Sequence, residues 1–396
     1  MTTIRDFTIT RFAFRRDRII GDSQVGFDIC NVAVLELHDT AGHTGTGWLL
    51  NLFHPLPDRA ELDRAFRTEA FSGLRGQHPV SLIHRVSRPR GGNQRALPHG
   101  FGEAIDQALW DLAAQQAGLP LYRYLGGTEP RVRAYASGLD FHLSDAQYVQ
   151  FFTKAKALGF NAFKIKIGHP DLAWDLNRLR LLKEAVGPDP IIMVDANEAW
   201  TPKEAIRALH AYHDAGHDIL WIEDPCLRDD FEGLRQVSEA LPFTHINTGE
   251  YLDLAGKRRL IEARAVDYMN VHGKMSDVMR ACWLAAEYGI KITLGNTFLE
   301  VGVHIAAALP EAEWIEYSFQ NYNHLAENPI QFDNGYAIAP DRPGHGLGLS
   351  QIARHHHAVD TVAEGLRPAG PPPAPILLDQ ATLDSTITAT NGETTQ

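Results

Sequence analysis

Three acidic residues, each at the end of a short apolar run, constrain the fold of this chain more than any other feature. Asp195 ends the run IIMVD, Glu223 ends ILWIE, and Glu250 ends THINTGE. The interval from residue 195 to residue 223 is 28 residues, and from 223 to 250 it is 27. Such an interval suits one strand, one helix and two loops, the repeating unit of a parallel α/β barrel. Because barrel strands end at one mouth, we expect the three carboxylates to meet there.

Carboxylates on rigid strand ends are suitable ligands for a hard cation. Mg²⁺ prefers oxygen ligands and keeps further positions open for water or substrate. Isolated acids at strand ends are more often helix caps or loop salt bridges, but the even spacing favours a metal site. We therefore predict that Asp195, Glu223 and Glu250 bind one Mg²⁺ per subunit.

Two lysines lie one strand before the first of these acids, in the run Phe163-Lys164-Ile165-Lys166. The alternation of a β-strand points both lysine side chains to the same face of the sheet. A lysine pair on a strand is usually a solvated edge. If this pair points inward, two amines face the bound metal, which indicates base chemistry on a substrate that the metal has made more acidic.

Composition and charge exclude several classes of function. The net charge is −12 over 396 residues and there is no block of Lys and Arg, which argues against a nucleic-acid partner. No apolar stretch approaches the length of a membrane span, and MTTIRDFTIT has no apolar signal region. The three cysteines lie far apart and are odd in number, so we expect reduced thiols and a cytoplasmic protein.

Hydrophobic patterning divides the chain into several parts. Residues 4–50 alternate as antiparallel strands do, with a turn-rich AGHTGTG segment at 41–47. Residues 57–117 have a helical pattern, which is clearest in FGEAIDQALWDLAAQQAG. Eight strands are then predicted near 132–138, 161–167, 190–195, 219–223, 245–249, 267–271, 291–295 and 313–317. Helices fit between most of them, for example at 202–216 and 276–288.

Several motifs between residues 108 and 349 occur in a characteristic order and spacing: ALWDLAAQQAGLPLYRYLGG, KIK, VDANEAW, WIEDP, the TGE strand end and PGHGLGL. In this set the chain resembles the enolase superfamily, and within it the mandelate racemase / muconate lactonizing enzyme group. The resemblance covers nearly everything except the tail. It implies a modified TIM barrel, (β/α)₇β, with an α+β capping domain formed by the N-terminal region and the segment after the barrel.

The resemblance also implies domain boundaries. We expect a capping domain at residues 1–127, the catalytic barrel at 128–325, and a segment returning to the cap at 326–364. Residues 365–396, rich in Pro and Thr, are predicted to be a mobile tail.

The shared chemistry of the superfamily is removal of a proton from the carbon next to a carboxylate, with Mg²⁺ held by the three acids. The resemblance implies that Lys166 is the base and that Lys164 tunes it. Beside Lys164 and a bound metal, we expect like-charge repulsion and burial to lower the pKa of Lys166. Glu316, in AEWIEY, matches the Glu that hydrogen-bonds a substrate carboxylate oxygen. Asn197 and Asp224 are expected to orient the metal ligands.

The chain departs from the mandelate racemase pattern at two strands. Asn296, in LGNTFLE, stands where that enzyme has a His, and VDYMNVHGK lacks the supporting Asp and offers His272 and Lys274 instead. Ordinary mandelate racemization is therefore not expected. His272 is either an acid on the opposite face of the substrate or a structural histidine, and His304 is expected to pack in the core.

Polar residues lie where relatives carry loops over the substrate. The first loop carries Arg15, Arg16, Asp22, Ser23 and Gln24, and the second carries Phe53 and His54. An ordinary exposed loop is an equally good interpretation. If these residues contact substrate, they favour a polyhydroxylated one, and Lys274 and Asn296 are further candidates for substrate contacts.

The leading hypothesis for function is an acid-sugar dehydratase-like lyase that converts a sugar acid to a 2-keto-3-deoxy acid. The alternatives are a racemase or epimerase and a cycloisomerase of an α-substituted carboxylate. A binding scaffold without catalysis is disfavoured, because every ligand and the base are present. The expected partners are a small-molecule carboxylate and further copies of the chain in a homo-oligomer, with no nucleic acid and no membrane.

Overall fold

The computed structural model describes residues 2–50, 55–86, 97–295, 301–367 and 376. It begins with an antiparallel sheet of three strands in the order β1 (Ile4–Gly21), β2 (Gly26–Asp39) and β3 (Thr44–Leu50). Strands β1 and β2 form one long hairpin, whose turn is residues 22–25. The antiparallel strands predicted for residues 4–50 are confirmed.

The glycine-rich segment at 41–47 is only partly a turn, because β3 already begins at Thr44. A Cβ atom on Gly47 would lie 1.9 Å from the carbonyl oxygen of Ala104, in the helix that packs on this strand. A Cβ atom on Gly45 would lie 2.2 Å from the carbonyl oxygen of Ala108. Glycine therefore serves here to bring a helix backbone close to a strand, which local turn propensity does not reveal.

Helices cover this sheet, as the helical pattern after residue 57 predicted. They are α1 (Arg59–Phe66), α2 (Ser72–Leu74), α3 (Pro79–Val86), α4 (Phe101–Gln116) and α5 (Leu121–Tyr124), with a π-helical turn at Arg67–Phe71 and a 3₁₀ turn at Pro98–Gly100. The buried polar residues of α4 bind β3: Asp111 accepts from the amide of Thr46 at 2.9 Å and Gln107 from that of Trp48 at 3.0 Å. Side chains of α4 thereby satisfy backbone amides of β3, which is an edge strand of this sheet.

Eight parallel strands of the described chain form a closed barrel. They are β4 (Arg131–Ser137), β5 (Ala162–Lys166), β6 (Ile191–Asp195), β7 (Trp221–Glu223), β8 (His245–Thr248), β9 (Tyr268–Val271), β10 (Lys291–Leu294) and β11 (Ala312–Tyr317). Each pairs with the next, and β11 pairs with β4 to close the ring. The eight predicted strands are confirmed.

A layer of large side chains fills the N-terminal half of the barrel: Tyr135, Ala162, Met193, Trp221, Tyr268 and Trp314. All six are buried. Because this half is packed, the open mouth lies at the C-terminal ends of the strands, as in other barrels of this type.

The helices between the barrel strands are α6 (Asp145–Ala157), α7 (Leu172–Val186), α8 (Pro202–Asp214), α9 (Phe231–Ala240), α10 (Leu254–Glu262), α11 (Met275–Tyr288) and α12 (Val303–Ala308). Several begin at a polar N-cap, such as Ser144 with its capping box to Gln147. The predicted helices at 202–216 and 276–288 correspond to α8 and α11. In the parts of the chain described here, no helix is long and apolar enough to cross a membrane.

The segment after the barrel contains β12 (Gln331–Asp333), β13 (Tyr336–Ile338), a 3₁₀ turn at Asn323–Leu325, α13 (Gln351–His356) and α14 (Val362–Gly365). It contacts both parts of the molecule, because β13 pairs with β4 and Arg354 donates to Glu36 of β2 at 2.7 Å. Of the tail predicted to be mobile, Ile376 donates its amide to Asp17 at 2.9 Å. Residues 368–375 and 377–396 lie outside the described chain.

Two buried histidines join this segment to the cap. His304 Nδ1 accepts from the amide of Tyr122 at 3.2 Å, and its Nε2 donates to the carbonyl of His345 at 2.8 Å. His345 in turn contacts the carbonyl of Thr46 at 2.7 Å. Burial lowers the pKa of His304 to about 3, so the ring is neutral. The expectation that His304 packs in the core agrees with this position.

Candidate active site

Six ionisable side chains lie together at the mouth of the barrel. They are Lys164, Lys166, Asp195, Glu223, Glu250 and Glu316, and all line one cavity of about 70 Å³. Strand register explains the grouping, because Lys166 is level with Asp195 on the next strand, and Asp195 with Glu223 on the one after. The structure thus brings together the predicted ligands, the predicted base and the predicted carboxylate partner.

The two lysines make short contacts with the carboxylates. Lys166 Nζ donates to Asp195 Oδ2 at 2.6 Å and to Asn197 Oδ1 at 2.7 Å. Lys164 Nζ donates to Glu223 Oε1 at 2.7 Å and lies 3.2 Å from Glu316 Oε1. Both lysine side chains are buried, so each ammonium is neutralised by protein carboxylates rather than by water.

These contacts set the pKa values of the two lysines when no cation is bound. Burial lowers the pKa of Lys166, as does the charge of Lys164, but the carboxylates of Asp195, Glu223 and Glu316 together outweigh both, and the pKa is raised. The pKa of Lys164 is also raised, because Glu223 and Glu316 overcome its burial. The lowered pKa predicted for Lys166 applies to a site that holds a metal, and it stays a prediction for that state.

The carboxylates show where a cation would fit. In the described ranges, no set of three or more His, Cys, Asp or Glu side chains already surrounds one point as metal ligands do. However, Glu223 Oε2 is buried without a hydrogen-bond partner, and burial raises the pKa of Glu250 to about 7. A divalent cation would satisfy both groups. The donor set fits Mg²⁺ in kind, and the ion would replace the lysine contacts of Asp195 and Glu223.

Polar residues next to the carboxylates hold them in place. The Asn197 amide donates to Asp195 Oδ1 at 2.9 Å, so this residue contacts both Asp195 and Lys166. Asp224 accepts from Thr248 Oγ1 at 2.5 Å, and burial with the charge of Asp195 raises the pKa of Asp224 to about 7. Asn197 and Asp224 both have positive φ, of 45° and 39°, which turns the chain sharply after each strand end.

The β1–β2 hairpin covers this cavity. Ile20, Gly21, Asp22, Val25 and Phe27 line it from above the lysines, so Asp22 lies where a substrate contact was predicted. Gln24 Nε2 donates to the carbonyl of Asn197. The residues predicted to form a covering loop belong to the hairpin strands and their turn, and the strand register is irregular between Arg15 and Ile20.

Arg15 and Arg16, the two arginines predicted on a loop over the substrate, do not line the cavity. Arg16 is buried and donates to the carbonyl of Gln320 at 2.5 Å, while exposed Arg15 pairs with Asp28 at 2.8 Å. The structure thus gives Arg16 a main-chain partner in place of the predicted substrate contact. His54 and Asn296, the other predicted contacts, lie outside the described residues.

His272 and Lys274 line a second cavity, of about 540 Å³, together with Glu103 and Lys257. Glu250 and Tyr251 line both cavities. The Tyr251 ring meets His272 edge to face, with ring centroids 4.9 Å apart. Burial lowers the pKa of His272, against the attraction of Glu103. His272 is therefore accessible from a cavity, with Tyr251 beside it at the boundary with the lysine cavity.

Sequence reasoning missed three residues here. Tyr251 could have been predicted to lie at the site, because it directly follows the predicted ligand Glu250. Asn270 Nδ2 donates to Glu223 Oε1 at 3.0 Å, and its inward position on β9 follows from strand alternation. Lys257 donates to the carbonyls of Gly249 at 2.5 Å and Leu252 at 2.6 Å, bracing the turn that carries Glu250. The sequence does not indicate this role of Lys257, because a lysine in the charged run GKRRL is expected to be exposed to solvent.

Comparison with known proteins gives a consistent family match. Residues 147–353, just over half of the chain, match the family model described as Enolase C-terminal domain-like. A crystal structure from Mesorhizobium loti, of a protein provisionally named a mandelate racemase, is 54% identical. It covers 95% of this chain and all of that one with a TM-score of 0.89.

The curated relatives include a cycloisomerase and a dehydratase. The 3,6-anhydro-alpha-L-galactonate cycloisomerase of Streptomyces coelicolor is 35% identical over 256 residues, 62% of this chain and 68% of that protein. The L-talarate/galactarate dehydratase of Salmonella typhimurium is 34% identical over 256 residues, 63% of each chain. The structure of the latter with Mg and L-lyxarohydroxamate covers 90% of this chain and 93% of that one, at 26% identity and a TM-score of 0.79.

Proposed function

Because the chain belongs to the enolase superfamily, we propose that it removes the proton α to the carboxylate of a sugar acid and dehydrates the product to a 2-keto-3-deoxy acid. One observation carries the proposal. Two buried lysines lie in one cavity with carboxylates from three successive strand ends, and one oxygen of Glu223 has no partner.

Asp195, Glu223 and Glu250 would hold one Mg²⁺ in this cavity. Removal of an α proton leaves a doubly negative enediolate, and a bound divalent cation would stabilise that developing charge. The Mg in the related dehydratase structure supports this assignment.

Lys166 would accept the proton at Nζ, which requires a neutral amine. Its contact with Asp195 is the chief attraction that keeps the ammonium form. If Asp195 turns to a cation, burial and the charge of Lys164 together favour the free amine. Asn197 Oδ1, 2.7 Å from Nζ, would then keep the amine aimed into the cavity.

Lys164 and Glu316 would bind the substrate carboxylate. Lys164 offers a buried positive charge, and Glu316, 3.2 Å away, would donate a hydrogen bond to a carboxylate oxygen when it carries a proton. The hairpin above them would exclude water and strengthen each of these interactions.

His272 would supply the acid that protonates the departing β-hydroxyl, so that water rather than hydroxide leaves. His272 lines a cavity that Glu250 and Tyr251 also line, which favours this role. An epimerase is the second candidate, in which His272 or Lys274 would return a proton to the opposite face of the α-carbon. The relatives include an L-Ala-D/L-Glu epimerase from Clostridium acetobutylicum, 32% identical over 259 residues.

The test is a panel of sugar acids incubated with the protein and Mg²⁺ in D₂O, with Lys166→Met as the matched control. We expect α-proton exchange and a 2-keto product from at least one acid with the wild-type chain only. Exchange with inversion and no 2-keto product would assign an epimerase. A panel without any exchange, or one in which Lys166→Met retains it, would overturn the proposed base.

A further inference from the structure

Arg18 lies in the hairpin that covers the cavity, yet its side chain points into the protein. The side chains of Arg18 and its neighbour Asp17 are only 1% and 0% exposed, and Arg18 Nη1 lies 3.0 Å from Asp17 Oδ1. The guanidinium also lies over the Phe151 ring, 4.8 Å from the centroid. A buried arginine with its own counter-ion is a costly arrangement, and the cost is offset only if its hydrogen bonds are made.

All three nitrogens of Arg18 donate to main-chain carbonyls of two barrel loops. Nη1 donates to Phe319 at 2.9 Å and Nη2 to Ser318 at 3.2 Å, just beyond the strand that carries Glu316. Nη2 and Nε also donate to Gly138 at 3.1 and 3.4 Å, just beyond β4. Since β4 and β11 are the strands that close the barrel, one guanidinium fastens the hairpin across this seam.

The loop that carries Gly138 also contacts the strand with both lysines. The Gly138 amide donates to the carbonyl of Lys164 at 3.4 Å, and Asp140 Oδ1 accepts from the amide of Lys166 at 3.3 Å. The same loop holds the far end of the hairpin, because the Gly21 amide donates to the carbonyl of Leu139 at 3.0 Å. A continuous set of hydrogen bonds thus runs from the hairpin through this loop to Lys164 and Lys166.

We propose that Arg18 is a positioning residue, which fastens the covering hairpin to the barrel seam and thereby sets its distance from the Lys164–Lys166 pair. The expected effect on turnover rests on the proposed function, whereas the attachment of the hairpin to the barrel does not depend on it. Lysine cannot replace arginine here, because a single ammonium lacks the planar fork that reaches carbonyls on two loops at once. The variant Arg18→Lys therefore keeps the charge beside Asp17 and loses the bridge.

The experiment compares Arg18→Lys with Arg5→Lys, a matched change at an exposed position on the same strand. We expect amide hydrogen exchange at residues 19–26 to become about tenfold faster in Arg18→Lys, while the barrel strands and the control keep the wild-type rate. We also expect KM to rise about tenfold with little change in kcat, because binding must then close a hairpin that is open more often. A general loss of folded protein would instead lower kcat and leave KM unchanged.

Unchanged exchange at residues 19–26, or faster exchange spread over the whole barrel, would overturn the proposal. If Arg18→Lys does not fold, Arg16→Met tests the same fastening by removing the bond to the Gln320 carbonyl, with the same local effect expected. A wild-type chain that acts on no acid would defeat the proposed function, and the local exchange rate alone would then decide the role of Arg18.

Discussion

Lys166 Nζ lies 2.6 Å from Asp195 Oδ2, so the predicted base and a predicted metal ligand form an ion pair on adjacent strands. A cation and the Lys166 proton would therefore compete for the same carboxylate. Binding of the metal and release of that proton are linked, and each favours the other.

Lys166→Met should lower the rate of α-proton exchange by about 10²- to 10⁴-fold, the usual contribution of a general base. Binding of Mg²⁺ should persist, because the ligands are intact and the competing ammonium is gone. Exchange is followed by NMR in D₂O and metal affinity by calorimetry. Exchange at the wild-type rate would move the role of base elsewhere, first to His272.

Glu250→Gln should weaken Mg²⁺ binding at least about tenfold, because an amide oxygen is a poorer ligand than a carboxylate for a hard cation. Glu313→Gln is the matched control, since Glu313 pairs with Arg133 and Lys291 away from the cavity. Chelation should likewise abolish turnover, and added Mg²⁺ should restore it. Equal affinities in the two variants, measured by calorimetry, would remove Glu250 from the ligand set.

His272→Asn should separate the two candidate reactions. In a dehydratase the variant keeps exchange driven by Lys166 and loses the 2-keto product, because the leaving hydroxyl is no longer protonated. In an epimerase it loses exchange from one enantiomer only. Both readouts come from one NMR and product assay, and a variant unchanged in both would leave His272 a structural residue.

Gly47→Ala should destabilise the protein by about 1–3 kcal/mol, the usual cost of overpacking, because the new methyl group would meet the carbonyl of Ala104. Gly73→Ala is the control, since its Cβ would have no neighbour within 4 Å and it lies in a helix. That change should be neutral or slightly stabilising. Urea unfolding measures both, and equal stability would show that β3 can move away from α4.

Acid should destabilise the protein through His304. Its pKa of about 3 in the folded chain lies below the ordinary value of 6.5, so this contribution is present above pH 6.5 and is lost as the pH falls. From pH 7 to pH 5 the loss should be about 2 kcal/mol, because only the unfolded state gains the proton. His304→Gln removes this titration while retaining an acceptor and a donor. Urea unfolding at pH 7 and pH 5 gives the difference in unfolding free energy between the wild-type chain and His304→Gln. That difference should be about 2 kcal/mol smaller at pH 5 than at pH 7. An equal difference at the two pH values would contradict the linkage.

Much of the fold and the candidate site could be predicted because the signals are local. Strand alternation in Phe163-Lys164-Ile165-Lys166 places both lysines on one face, and the even spacing of Asp195, Glu223 and Glu250 matches the repeat of a parallel barrel. Each inference needs only the geometry of one strand or one strand–helix unit. The sequence by itself therefore determined the barrel and the lysines and carboxylates at its mouth.

Only the tertiary structure decided which charges meet, because that depends on segments far apart in the chain. Arg18 contacts the carbonyl of Phe319 only after the barrel closes, and no pattern near residue 18 encodes that partner. The raised pKa of Lys166 likewise depends on distances to carboxylates of other strands, to which electrostatic energies are steeply sensitive. Local periodicity sets where a side chain points, whereas long-range packing sets what it meets there.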